Sequence, residues 1–286
     1  MRLHPFPCVV AADWSVRADR RAAFIFRPDR NPPIERLDPG PDLASLLERA
    51  WRSAGRRPLW VGLDVGLGIP GGCFRALWAA RRGAGPRHFA DWIRELPDPA
   101  DRTCTGADDW CPERPFFRVP AGSGSLRAFA SKSPGLWREV DRATGAKTVF
   151  ALSGIPGVVG QASRSAWSEI HRMHRAGRTV PIWPFDVALG EAGRDGPILA
   201  ELYPRLFYPA GGLGGAKGRS EVRARALAAL SPDASLADLR AAEASEDAFD
   251  ALVALTGVVR WLERTGGQAA RVDPVAEGGM LGWDEP

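Results

Sequence analysis

Leu59-Trp60-Val61-Gly62-Leu63-Asp64 is an apolar run closed by a carboxylate. A short apolar run between turn signals reads as a buried strand. Cys8-Val9-Val10-Ala11-Ala12-Asp13 has the same form upstream. Between the two runs, Ala22 to Phe26 reads as a strand that turns back on the first, and Ile34 to Leu37 as a weaker third. Asp42 to Ala54 reads as a helix, with Leu43, Leu46, Leu47 and Ala50 on one face and Gly55 stopping it. A helical crossover makes the strand ending at Asp64 parallel to the strand ending at Asp13. The pattern is β-β-β-α-β, and it sets Asp13 and Asp64 side by side.

Downstream, Ile198-Leu199-Ala200-Glu201 is a third apolar run ending in an acid. Val180 to Pro184 reads as a strand and Thr148 to Leu152 as a short extended segment. Helices are expected near Ser163 to Ala176, over Glu221 to Leu230 and over Glu246 to Glu263. The last carries an apolar stripe of Ala248, Leu252, Leu255, Val259 and Leu262, with Asp247 and Asp250 on its shoulder. Residues 66–145 depart from the pattern, with Gly71-Gly72, Trp92, Trp110, Phe116-Phe117 and many prolines. Helical pieces are expected near Cys73 to Arg81 and Phe89 to Arg94. This stretch reads as a long insertion after the fourth strand of a single domain spanning 1–286, covering or lining the site.

The acids Asp13, Asp64, Glu201, Asp247 and Asp250 are the candidate catalytic set. Like charges crowded at strand ends raise one another's pKa unless a cation lies between them. Hard carboxylate oxygens suit Mg²⁺ or Mn²⁺, with Asp13, Asp64, Glu201 and Asp250 as the metal ligands. Two such ions about 4 Å apart activate water and stabilise the leaving oxygen of a phosphodiester. Each acid alone reads equally as a helix cap or an arginine partner; the set together points to metal.

Substrate-binding candidates lie around the acids in sequence. Gly154 to Ser163 is a glycine-rich loop opening a helix, whose amides, with Gly160, Gln161 and Ser163, suit a phosphate; it reads equally as a tight turn with Ser163 as a cap. No GK[ST] follows, so it is not a Walker loop. Trp183, in Trp183-Pro184-Phe185-Asp186, is placed to stack on a base or to pack. Lys217 and Arg219 follow a glycine loop and are expected to neutralise a phosphate near Glu201, or to be solvated. His171 and His174 fit a polar helix face. Cys104, Cys111 and His88 match structural zinc poorly.

The formal net charge is +4, and all but three of the 38 Lys and Arg residues are arginine. Arginine forks fit phosphate oxygens, although no concentrated basic tail is present. No run of about 18 apolar residues occurs, so no membrane span is expected. The Pro-broken N-terminus does not read as a signal peptide, and a cytoplasmic location is expected.

The chain resembles the DUF429 family, predicted nucleases of the ribonuclease H-like superfamily. The residues that carry the likeness are Ala12-Asp13-Trp14-Ser15, Gly62-Leu63-Asp64-Val65-Gly66-Leu67-Gly68-Ile69-Pro70, Ala200-Glu201-Leu202-Tyr203-Pro204-Arg205-Leu206-Phe207 and Asp247-Ala248-Phe249-Asp250-Ala251-Leu252-Val253. The tail Ala276 to Trp283 looks like the family's closing segment, with Gly279 where an aromatic is expected. Residues 71–145 match no motif of the family. The resemblance implies an α/β fold, a ribonuclease H-like mixed sheet flanked by helices. It also implies an acidic metal site of Asp13, Asp64, Glu201 and the Asp247/Asp250 pair, with Ser15 of the first motif beside it. The function expected is metal-dependent hydrolysis of nucleic acid, DNA or RNA, with Asp13 bridging two ions. A phosphotransferase of the actin/sugar-kinase type shares a related core and is the first alternative; a non-catalytic scaffold is the second.

Overall fold

The structure is a computed structural model, and it describes residues 7–80, 86–95, 98, 102–104, 111, 113–118, 134–152, 158–187, 196–266, 273 and 275–283. In chain order the strands are β1 (Cys8–Asp13), β2 (Ala22–Phe26), β3 (Ile34–Leu37), β4 (Leu59–Leu63), β5 (Thr103–Cys104), β6 (Phe116–Arg118), β7 (Ala151–Leu152) and β8 (Pro197–Glu201). The helices are α1 (Leu43–Ser53), α2 (Gly71–Ala80), α3 (Phe89–Glu95), α4 (Glu139–Thr144), α5 (Gly160–Arg175), α6 (Ser220–Leu230), α7 (Leu236–Ala244) and α8 (Glu246–Thr265). They group into two compact units. The first comprises Met1–Asp64, Ala188–Arg271 and Met280–Pro286, and the second Val65–Val187 and Val272–Gly279.

The first unit is built on a five-stranded mixed sheet in the order β3-β2-β1-β4-β8. β1 pairs antiparallel with β2, and β2 with β3. β1 pairs parallel with β4, and β4 with β8. The two apolar runs that end in Asp13 and Asp64 are therefore adjacent and parallel, as the sequence predicts. β4 lies between two parallel neighbours and every residue of it is buried, the expected state of a strand covered on both faces. α1 supplies the crossover; Asp42 caps it by accepting from the Ser45 amide at 2.8 Å. Its apolar face of Leu43, Leu46, Leu47 and Ala50 is buried, and it packs on β4 and β8.

α8 lies over β1 and β2 and also packs against α7. Its middle is buried almost all round, from Ala248 to Thr256. This is wider than the stripe expected, because α7, the turn Pro204–Phe207 and α6 pack on it as well as the sheet. The Ser245 hydroxyl accepts from the Ala248 amide at 3.3 Å, and Gly266 ends the helix with φ 63°.

The second unit holds a three-stranded parallel sheet in the order β5-β6-β7. Its core is a cluster of rings, Phe89, Trp92, Phe116, Phe150 and Trp167, with centroid distances of 5.1 to 6.5 Å. Residues 66–145 belong to this unit together with α5 and the segment to Val187. Val180 to Pro184 is not a strand. Pro181 and Pro184 remove two backbone donors, and the chain instead turns around Asp186, whose carboxylate accepts from the Ile182 amide at 2.7 Å and from Arg94 at 2.6 and 2.9 Å. Among the described residues, no helix is long and apolar enough to cross a membrane.

Phe207 is held between two glycines of the first unit. A Cβ added at Gly257 of α8 would lie 2.1 Å from its ring, and one at Gly282 would lie 2.3 Å from the ring's far end. Replacing a helix-interior glycine by alanine ordinarily stabilises by roughly 0.5–1 kcal/mol. Here the ring is met closely at both Gly257 and Gly282, and overpacking of about 1–3 kcal/mol prevails. Gly257→Ala is therefore expected to lower the urea midpoint of unfolding. A midpoint at or above the wild-type value would show that Phe207 is not confined.

Candidate functional site

The site grows from the ladder between β1 and β4. Ala12 is registered with Leu63, and the Asp64 amide donates to the Ala12 carbonyl at 2.9 Å. Asp13 and Asp64 thus occupy successive positions on neighbouring strands. Side chains alternate faces along a strand, so this register puts both carboxylates on one face. The turn after β1 is locked: the Arg21 guanidinium stacks 3.7 Å over the buried Trp14 ring, and it donates to the Ser15 and Pro41 carbonyls at 2.7 Å each. Both aspartates keep part of their surface open to solvent.

Glu201 departs from the expected arrangement. It is registered with Leu63, one step before Asp64. Alternation therefore assigns it to the opposite face of the sheet from Asp13 and Asp64. Its backbone is held on the other side by the Leu281 amide, which donates to the Glu201 carbonyl at 3.0 Å. Glu201 is buried, and its charge still acts on Asp64. The register sets it one step from Asp64 while leaving it within electrostatic reach of that carboxylate.

α8 brings Asp247 and Asp250 toward the two strand ends, and the charges of both act on Asp13. Both oxygens of Asp250 are engaged. Tyr208 donates its hydroxyl to Oδ1 at 2.8 Å, and the Lys217 ammonium forms a close ion pair with Oδ2. Glu246 Oε2 lies 3.9 Å from the same ammonium. Lys217 is itself anchored. The buried Arg223 donates to the Lys217 carbonyl at 2.8 Å and, through two other nitrogens, to the Glu243 carbonyl at 2.6 and 2.9 Å. Lys217 therefore sits on Asp250, where the sequence placed it near Glu201. Tyr208 and Arg223 were not anticipated at all.

Asp13 and Asp64 differ from Asp250 in this respect. Among the described residues, no donor reaches either carboxylate. Burial pushes the Asp64 carboxyl up to about 8, with the Asp250 charge adding to the shift and Lys217 opposing it. Burial, then the charges of Asp64, Asp250 and Asp247, holds Asp13 well above the usual carboxylate range. Asp250 is raised by burial against the opposing pull of Lys217 and Tyr208. Asp247 is raised by burial against Arg20 and Lys217. Burial pulls the Lys217 ammonium down, but the Asp250 ion pair and the Asp13 and Glu246 charges outweigh it and raise it overall. Among the described residues, no three His, Cys, Asp or Glu side chains form a group that would hold a metal ion.

No family model, curated protein or solved structure matches the chain.

The remaining substrate-binding candidates have other placements. Ser15 accepts from the Arg17 amide at 3.3 Å and shapes the turn beside Asp13. Arg219 is exposed before α6 and lies 3.6 Å from Glu221. Gly160, Gln161, Ser163 and Trp183 belong to the second unit. Ser163 is buried, accepting from the Gly66 amide and donating to the Val159 carbonyl, both at 2.9 Å. A Cβ at Gly160 would lie 2.0 Å from the Ala151 carbonyl oxygen, so this glycine serves close packing of α5 on β7. Gln161 is exposed on the first turn of α5. Trp183 is 1% exposed and packs in the core, so it offers no ring face to a base. Gly154 to Gly157 lie outside the described residues.

The four aspartates bind protons more tightly in the folded chain than in the unfolded one. Their contribution to stability is complete below the usual carboxylate range and is lost as pH rises through the folded values. Asp19, Asp29 and Asp38 are lowered by hydrogen bonding and arginine charge, so they act below that window. The urea midpoint of chelator-treated protein is expected to fall as pH rises from the ordinary carboxylate range to about 8, and Asp64→Asn is expected to flatten the decline. A wild-type midpoint that stays level or rises across this window would contradict the electrostatics described.

Proposed function

We propose that the protein is a divalent-metal-dependent phosphodiesterase acting on nucleic acid, built on a ribonuclease H-like fold. The observation that carries this reading is the pair Asp13 and Asp64: adjacent, on one face, without a donor among the described residues and still open to solvent. Supporting it are the sheet order β3-β2-β1-β4-β8 with its antiparallel and parallel halves, and the acids of α8 acting on the same pair.

The donor set suits Mg²⁺ or Mn²⁺. These ions prefer carboxylate oxygen, and Mg²⁺ commonly binds through only one or two carboxylates, with water and substrate phosphate completing its shell. A pair without a third ligand meets that requirement. Asp13 and Asp64 are the residues that would hold the ion. Bound there, the ion would supply Lewis acidity and lower the pKa of water at neutral pH. The Lys217 ammonium, 32% exposed on its side chain, is in reach of a phosphate oxygen presented to the acids. Asp250 holds Lys217 in place, and Tyr208 holds Asp250. Asp247, half-buried on the first turn of α8, keeps the rim acidic.

The ion pair of Lys217 with Asp250 also favours a second reading, a non-catalytic protein of the same fold in which the ammonium has replaced the metal. Metal response separates the two. Binding to the native state alone stabilises by about 2.7 kcal/mol at a hundredfold excess over Kd, which raises Tm by several degrees. Mn²⁺ is expected to raise the wild-type Tm by that order and to support cleavage of single-stranded DNA or RNA. Asp13→Asn is expected to abolish both responses while leaving the metal-free protein no less stable, since it removes one of the repelling charges. A wild type indifferent to Mn²⁺ in Tm and inert toward both nucleic acids would leave the scaffold reading.

A further inference from the structure

The acids of this site are not equivalent toward a cation. Both oxygens of Asp250 are taken, one by the Tyr208 hydroxyl at 2.8 Å and the other by the Lys217 ammonium. The ammonium lies 3.9 Å from Glu246 as well. The carboxylates of Asp13 and Asp64 have no such partners among the described residues. Lys217 is also not a loosely placed surface chain, because Arg223, buried and bonded to the Glu243 carbonyl, fixes its backbone at 2.8 Å.

We propose that Lys217 is a built-in cation of the site, standing where a second metal would otherwise bind, so that the protein takes up one divalent ion, at Asp13 and Asp64, and uses the ammonium as its second positive charge. This rests on the metal-dependent reading above. An ammonium on a fixed backbone and a divalent ion on the strand pair give two positive centres against one phosphate group. The ammonium held against Asp250 repels a second cation from that carboxylate while Lys217 remains there. Tyr208 and Arg223 are positioning residues in this scheme: the first orients the Asp250 carboxylate, the second sets the reach of Lys217. Lysine serves as a compact point charge in this role.

The test is the number of Mn²⁺ ions bound per chain, counted by electron paramagnetic resonance and by calorimetry on the full-length protein. Circular dichroism verifies the fold of each variant. One ion is expected for the wild type and for Lys217→Arg, which keeps the charge. Two are expected for Lys217→Met, which keeps the length of the side chain and frees one oxygen of Asp250. If Lys217→Met does not fold, Lys217→Gln, which also removes the charge, takes its place in the count. Two ions in the wild type would overturn the inference and leave the metal-dependent reading intact. One ion in both wild type and Lys217→Met would also overturn it, since Lys217 would then displace no metal. No ion in any folded form would defeat the metal-dependent reading itself.

Discussion

The constraint on which the first unit turns is that Asp13 and Asp64 cannot move apart. They are fixed by the β1–β4 ladder, from Cys8 opposite Leu59 to Ala12 opposite Leu63. A slip of one residue would turn every core side chain of β1 to the wrong face, so the core holds the register and the register holds the carboxylates together. Their mutual repulsion is the electrostatic counterpart of correct strand pairing. The fold must supply positive charge or tolerate protonated acids, and the raised Asp13 and Asp64 carboxyls together with Lys217 are its answer.

The features of the sequence that were readable are those written in local pattern. The apolar runs ending in Asp13, Asp64 and Glu201 became strands because each is too short for a helix and bounded by turn residues. α1 was legible from its four apolar positions and its stop, and α8 over Glu246 to Glu263 from its apolar stripe. The adjacency of Asp13 and Asp64 followed from the crossover alone. The place of Glu201 did not, since which face it occupies depends on a single residue of register between β4 and β8. Nothing in Ile198-Leu199-Ala200-Glu201 carries that information.

Other parts were illegible for different reasons. β5, β6 and β7 are two or three residues long, too short for any periodicity to show. The ring cluster of the second unit is assembled from α3, β6, α5 and the segment before β7, so its members are scattered in sequence and read singly as ordinary aromatics. Trp183 looked like a stacking platform because Trp-Pro-Phe-Asp resembles the end of a strand; the two prolines flanking Ile182 and Trp183 make it a buried turn instead. Lys217 had one usable signal, its rarity in a chain whose cations are nearly all arginine. Tyr208, the partner that completes Asp250, had none.

The contrast between Asp250 and the strand pair is the part of the arrangement that stability alone does not account for. Asp250 is buried and satisfied from two sides, as buried carboxylates ordinarily are. It also sits on the second turn of α8, close to a helix N-terminus that favours negative charge. Asp13 and Asp64 have neither advantage, being at the carboxyl ends of parallel strands. Two part-buried carboxylates side by side are a local conflict in an otherwise consistent sheet, and such conflicts concentrate at functional positions. Replacing either by asparagine would relieve the repulsion without disturbing the ladder, because the hydrogen bonds that hold β1 to β4 run through backbone atoms. The sequence nevertheless places a carboxylate at both ends, and it keeps the nearest ammonium occupied with a different acid. The negative charge left over falls on Asp13 and Asp64, whose oxygens meet no donor among the described residues.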